Sequence, residues 1–177
     1  MLKGFFTRKS DKTTAEPLYQ AIVSAARRPF LYQKNPELDT LDGRFNLLSL
    51  HVILVIRRIN TQGEAAKAFA QDLFDIMFKD MEAAIREIGA GDTTVGKKIR
   101  TMAEAFYGAA KAYEPGLEAK DQEALSEVLA RNVFNREGRD EASDLLASYV
   151  LTSEARLLAQ PFEDYLSGQI PHFADQL

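Results

Sequence analysis

The sequence predicts an all-α fold, a single irregular bundle of six or seven helices around a buried central helix. Three observations carry this reading. Apolar residues recur at three- and four-residue spacing through most of the 177-residue chain. Gly, Pro and Asp punctuate those runs where helices stop and start. The one stretch that would suit a buried strand, Val52, Ile53, Val55 and Ile56, has helical neighbours and no second strand to pair with. At 46% apolar and 27% charged, the composition is globular and excludes a disordered acidic tail or a collagen-like fibre. The chain has no cysteine, which excludes a disulfide framework, a thiolate metal site and a cysteine nucleophile.

Residues 1–14 read as a flexible basic segment. Lys3, Arg8 and Lys9, with Phe5 and Phe6, are candidates for weak contact with an anionic membrane surface or the ribosome. Each basic residue near such a surface contributes about 1 kcal/mol. The segment lacks the roughly 7–15-residue apolar run of a secretory signal. Residues 15–168 read as the all-α domain. Thr13-x-x-Glu16 resembles a capping box, Pro17 falls in the tolerant first turn, and Leu18, Ile22, Val23 and Ala26 follow at helical spacing. Pro29 ends that helix. Residues 27–43 read as an irregular connection, rich in aromatics for a loop.

Asp42 is placed to cap a helix over residues 44–59, apolar from Leu47 to Ile56 except at Ser49 and His51. That run is too short to span the ~30 Å of a bilayer core, so it predicts a buried helix. Gly63 precedes a helix over 64–88 with Phe69, Leu73, Met77 and Met81 along its seam, stopped by Gly89-Ala90-Gly91. Asp92 is placed to cap the next helix, which carries Val95, Ile99, Met102, Phe106 and Tyr113 before a turn at Pro115-Gly116. Asp121 opens a helix bearing Leu125, Leu129 and Val133 that Gly138 terminates. The last long helix starts near Asp140 and uses Leu146, Tyr149, Val150, Ser153 and Leu157. Pro161 kinks or restarts it, Gly168 stops it, and residues 169–177 read as a loose C-terminal tail.

Little here supports catalysis. Gly91-Asp-Thr-Thr-Val-Gly96-Lys97-Lys98 matches seven positions of the phosphate-loop pattern. A helix rather than a strand precedes it, and Lys98 replaces the hydroxyl that would bind Mg²⁺. With only His51 and His172 and no Glu-x-x-His, the usual di-iron ligand set is missing, and no metal or cofactor is expected. His51 reads as a satisfied core histidine, the alternative being an enzyme pocket around His51 and Arg57. Charge is uneven: residues 1–60 hold ten Lys/Arg against five Asp/Glu, while the acidic remainder brings the chain to −4. Arg27-Arg28, Arg57-Arg58 and Lys97-Lys98 suggest a ribosome- or RNA-contacting module as a second alternative. The pI near 5.3 argues against DNA binding. Met77, Met81 and Met102 with Phe74, Phe78 and Phe106 form a soft stripe that reads chiefly as core, or as an adaptable chaperone surface.

Four strings together carry a family resemblance: LYQAIVSAARRPFLY (18–32), LDTLDGRFNLLSLHVILVIRRI (38–59), DLFDIMFKDMEAAIREIGAGDTTVGKKI (72–99) and MAEAFYG (102–108). In order and spacing they resemble the ubiquinol–cytochrome c chaperone family over about residues 15–135. The resemblance implies a non-enzymatic helical domain. Mitochondrial members help assemble respiratory complex III, holding newly made cytochrome b, with a small partner protein, near the ribosomal tunnel exit. This shorter chain looks like a bacterial relative. The expected partner is nascent cytochrome b or another membrane-protein client. The expected location is the cytoplasm, peripheral at the inner membrane face. The family supplies no catalytic residues. From this chain's own residues, the candidate client surface is Arg27, Arg28, Phe30, Tyr32, Asp39, Asp42 and Arg44, aromatic and charged groups concentrated outside the helical seams.

Overall fold

A computed structural model describes residues 12–177. The membrane- or ribosome-contact candidates Lys3, Phe5, Phe6, Arg8 and Lys9 lie outside the described residues. Six long helices carry the architecture: α1 (Lys12–Ala26), α3 (Leu41–Asn60), α4 (Lys67–Glu87), α5 (Asp92–Ala119), α6 (Gln122–Asn132) and α7 (Glu141–Ala159). Two short ones, α2 (Phe30–Gln33) and α8 (Phe162–Leu166), and 3-10 turns at Pro36–Leu38 and Glu64–Ala66 complete it. The expected all-α bundle is what forms. Among the described residues no helix is long and apolar enough to cross a membrane.

α3 is the hub. Thirteen of its residues are buried, on all sides, because α1, α4, α5 and α7 surround it. A helix apolar all round can be stable in water only inside such a shell. Two polar ties fix the shell's outer helices. The Tyr19 hydroxyl donates to Asp80 Oδ2 at 2.7 Å, joining α1 to α4. Ser126 Oγ donates to Asp144 Oδ1 at 2.6 Å and lies 2.8 Å from Ser143 Oγ, joining α6 to α7. Within the methionine stripe, Met77 is fully buried and Met81 nearly so, while Met102 and Phe74 are partly buried against the core.

Several boundaries differ from the sequence expectation, each for a local reason. Thr13 stands at the second position of α1. Thr40, not Asp42, caps α3, its side chain accepting from the Gly43 amide, while Asp42 occupies the first turn where its charge suits the helix dipole. Gly91 holds the N-cap of α5, and Asp92, one residue later, pairs with Arg86. Asp121 and Asp140 cap α6 and α7 as expected, the latter through a reciprocal box with Ser143.

Pro115-Gly116 is not a turn. Both residues lie within α5, which continues to Ala119 and ends at Lys120 in the left-handed conformation (φ 52°). Proline deprives the Lys111 carbonyl of its helical partner, and Lys111 lies on the exposed face, where water serves instead. Gly116 serves packing: a Cβ there would lie 3.1 Å from Leu125 Cβ, so its absence lets α6 close on α5. Residues 169–177 are not a loose tail either. Phe173 and Ala174 are buried, and the Ala174 amide donates to Ser153 Oγ at 3.0 Å. The single aromatic of that segment finds an apolar slot beside α7, and burying it outweighs the ordering cost of a short coil.

Gly43 faces Leu38 so closely that an added Cβ would meet the Leu38 carbonyl oxygen at 2.4 Å. Gly43→Ala therefore lowers stability by about 2 kcal/mol or more. Gly96, inside α5 with nothing near its Cβ position, gives the contrast. Gly96→Ala raises stability by about 0.5–1 kcal/mol. Urea unfolding of the two variants beside the parent checks both signs.

Candidate functional site

The end of α1, the connection after it and the start of α3 meet α4 around a groove of about 170 Å³. Its floor is apolar: Val23 and Ala26 from α1, Phe45 and Leu48 from α3, Met81 and Ala84 from α4. Arg27, Tyr32 and Arg44 stand at its rim. Each is placed by local chemistry. Pro29 directs the chain into α2, and the Tyr32 hydroxyl then donates to the Ala26 carbonyl at 2.9 Å, satisfying an orphan acceptor at the end of α1. Partial burial pushes the Tyr32 hydroxyl pKa up, so it stays a donor. Arg44 reaches one Asp39 oxygen through Nε at 2.8 Å and Nη2 at 2.6 Å. Both partners are more than half exposed, so the pair orients Arg44 and adds little stability.

The seven candidate residues do not form one surface. Arg27, Tyr32 and Arg44 share the groove, with Asp39 paired to Arg44 beside it. Asp42 is exposed in the first turn of α3. Arg28 and Phe30 instead face the C-terminal segment and α7. Arg28 Nη1 donates to the Ala174 carbonyl at 2.8 Å, and the Phe30 ring lies 5.9 Å from that of Tyr149. Their role is to close the bundle, which the proximity of residues 28 and 30 to Tyr32 in sequence hides.

His51 is fully buried. Its Nδ1–H donates to the Leu47 carbonyl at 2.7 Å and its Nε2 accepts from the Tyr149 hydroxyl at 2.7 Å, with Phe173 edge-on at 4.8 Å. Burial pushes its pKa down to about 4, so the ring is neutral at physiological pH with both nitrogens engaged. The enzyme alternative loses its acid–base group. The basic pair Arg57-Arg58 also fails as a free cationic surface. Arg58 is buried, donating to the Leu157 carbonyl at 3.0 Å and the Gln160 carbonyl at 2.9 Å, with its guanidinium 5.7 Å from the Tyr165 centroid. Those are the last carbonyls of α7, where a cation is favoured.

A larger cleft of about 530 Å³ opens beside Arg57, one of the two residues around which the enzyme alternative set its pocket; the other, His51, does not line it. Ile53, Ile56 and Arg57 of α3, Phe106 and Ala110 of α5, and Leu158 of α7 line it. Arg57 Nε donates to Glu154 at 2.7 Å and Nη1 pairs with Glu114, so one guanidinium joins three helices.

The fold and grooves define the class, an all-α bundle with apolar-floored clefts between its helices. The ubiquinol–cytochrome C chaperone family model matches residues 37–173, and the chain belongs to that family of complex III assembly factors. A crystal structure of the Cbp3 homolog from Brucella abortus matches with a TM-score of 0.80 at 34% identity, over 94% of this chain and 92% of that one. Ubiquinol-cytochrome-c reductase complex assembly factor 1 of Xenopus laevis is 29% identical over 140 residues, 78% of this chain and 70% of the frog protein. The Homo sapiens protein of the same name is 28% identical over 167 residues, 93% of this chain. The chain spans 56% of the length of that human relative.

The buried histidine sets a pH dependence. In the unfolded chain it takes up a proton near the ordinary 6.5, in the folded protein only near about 4. Falling pH therefore protonates the unfolded state first, and stability is lost from pH 6.5 downward. Between pH 7 and pH 5 this group alone costs about 2 kcal/mol. The pH 7-to-5 difference in unfolding free energy shrinks by that amount in His51→Gln, measured against the parent by urea titration at both pH values.

Proposed function

We propose that the chain is a chaperone without a catalytic step of its own, holding newly made cytochrome b during biogenesis of ubiquinol–cytochrome c reductase. The groove rimmed by Arg27, Tyr32 and Arg44 is part of its client surface. The observation carrying this is convergence. Three residues nominated from the sequence meet around one apolar floor, and relatives over most of this chain are named as assembly factors for that complex. An emerging membrane protein offers apolar side chains to Val23, Leu48 and Met81, and Met81 adapts to varied shapes. Arg27 and Arg44 hold polar or acidic flanks at the rim. On this reading the basic amino-terminal third turns toward the ribosome and the anionic inner face of the membrane, through Lys3, Phe5, Phe6, Arg8 and Lys9.

Arg27 and Arg44 are both exposed, so Arg27→Glu with Arg44→Glu leaves the fold standing. Capture of cytochrome b made in a coupled translation system drops about tenfold in the double variant, with thermal melting unchanged. A photo-crosslinker at position Tyr32 in cells marks cytochrome b. Undiminished capture by the double variant, or crosslinks confined to soluble enzymes, overturns the reading.

A further inference from the structure

The cleft of about 530 Å³ beside Arg57 has the size of a small-molecule site and two unlike halves. One half is apolar: Ile53 and Ile56 of α3, Phe106 and Ala110 of α5, and Leu158 of α7, which is 47% exposed. The other half is charged. Arg57 donates to one oxygen of Glu154 and one of Glu114. No other charged residue lines the cleft, so one guanidinium meets two carboxylates and the lining keeps a negative charge in excess. The cleft also lies where α3 and α7 end, at Asn60 and Thr61 and beside Leu158, and helix C-termini favour a cation.

Glu154 adds the feature that specifies a ligand. It is 7% exposed, and Arg57 occupies only its Oε1. Its Oε2 accepts no hydrogen bond among the described residues, yet it is not sealed off. The side chain keeps 10% of its surface open and lines the cleft. A carboxylate so far withdrawn from water is costly unless both its oxygens are answered. Glu114, whose side chain is half exposed, likewise has a second oxygen that Arg57 leaves free. An anion entering here would meet the excess negative charge, and Arg57 is already engaged on two sides. An ammonium at the free Glu154 oxygen restores neutrality through a charge-assisted hydrogen bond. The apolar half then takes the ring or hydrocarbon that carries it, and Phe106 adds an aromatic surface favourable to a cation.

We propose that this cleft binds a small organic cation, an ammonium group on an apolar ring or chain. Glu154 Oε2 receives the ammonium, and Ile53, Ile56, Phe106 and Leu158 receive the apolar body. The site shares no lining residue with the client groove, and its test is independent of that reading.

Three probes of similar shape separate charge from size: phenethylamine is a cation at neutral pH, phenethyl alcohol is neutral and phenylpropionate is an anion. The full chain, labelled with ¹³C at isoleucine and leucine methyls, is titrated with each. Ile53, Ile56 and Leu158 report from the cleft wall. Phenethylamine shifts those methyls with a Kd on the order of 1 mM, the range for so small a ligand. The alcohol binds about fivefold more weakly and phenylpropionate at least about tenfold. Glu154→Gln keeps an acceptor for Arg57 and removes the charge; it weakens phenethylamine about tenfold and leaves the alcohol unchanged, which shows the cleft intact. Glu114→Gln, at a half-exposed side chain, leaves the fold standing and weakens phenethylamine about threefold. Equal affinity for phenethylamine and phenylpropionate, an unchanged phenethylamine affinity in either glutamine variant, or no shift of these methyls up to about 10 mM probe each overturns the proposal.

Discussion

The structure depends on one constraint, the burial of α3 on every side. A 20-residue helix that carries a histidine, a serine and an arginine inside an apolar cylinder must be surrounded, and each polar group must be answered. α1, α4, α5 and α7 provide the cover. The answers set the register. His51 reaches Tyr149 on α7, and Arg58, two turns further on, reaches the carbonyls that end α7. With both bonds made, α7 can neither slide nor rotate against α3 without orphaning a buried group. Ser49 is the exception, and the cleft beside it is where the cover is incomplete.

Open space in this bundle follows from the same geometry. α3 presents a continuous face through Phe45, Ser49, Ile53, Ile56 and Asn60, and α5 crosses that face rather than running along it. A crossing helix covers the centre and leaves the two ends uncovered. Arg57 bridges one opening to Glu114 and Glu154, tying α3, α5 and α7 into one unit. The rim groove has a different origin, the sharp reversal from α1 into α3 through α2 and the turn at Pro36–Leu38. That reversal leaves the last turn of α1 short of a neighbour and sets Arg27 and Arg44 at its edge. The bundle thus has a packed hub with recesses at its periphery.

Much was legible from the residues because much is local. The helix pattern, the caps at Asp121 and Asp140 and the methionine core all depend on chemistry within a turn or two, or on simple apolar spacing. The family strings place the chain among complex III chaperones for the same reason. A linear match survives without knowledge of contacts. The candidate site was legible by half. Arg27, Tyr32 and Arg44 meet as neighbours around one groove, whereas Arg28 and Phe30, within a few residues of them, turn the other way to hold the C-terminal segment and α7. Adjacent residues in a tight reversal point to opposite faces, and only the path of the backbone decides which faces outward.

By itself, then, the sequence determined the fold class, the position of the central helix, the caps of α6 and α7 and the family. Those properties follow from periodicity, capping chemistry and order along the chain. The tertiary structure alone decided that Gly116 is a packing contact inside α5, that Phe173 and Ala174 of the C-terminal segment are core, that Arg57 and Arg58 are internal ties, and that clefts flank the crossing of α3 and α5. In each of these the deciding partner comes from a different element, close to 100 residues away where Arg57 and Arg58 meet Glu154 and Leu157. No local preference encodes which distant side chain will be there, so the energy of that contact, not the propensity of the segment, sets the outcome.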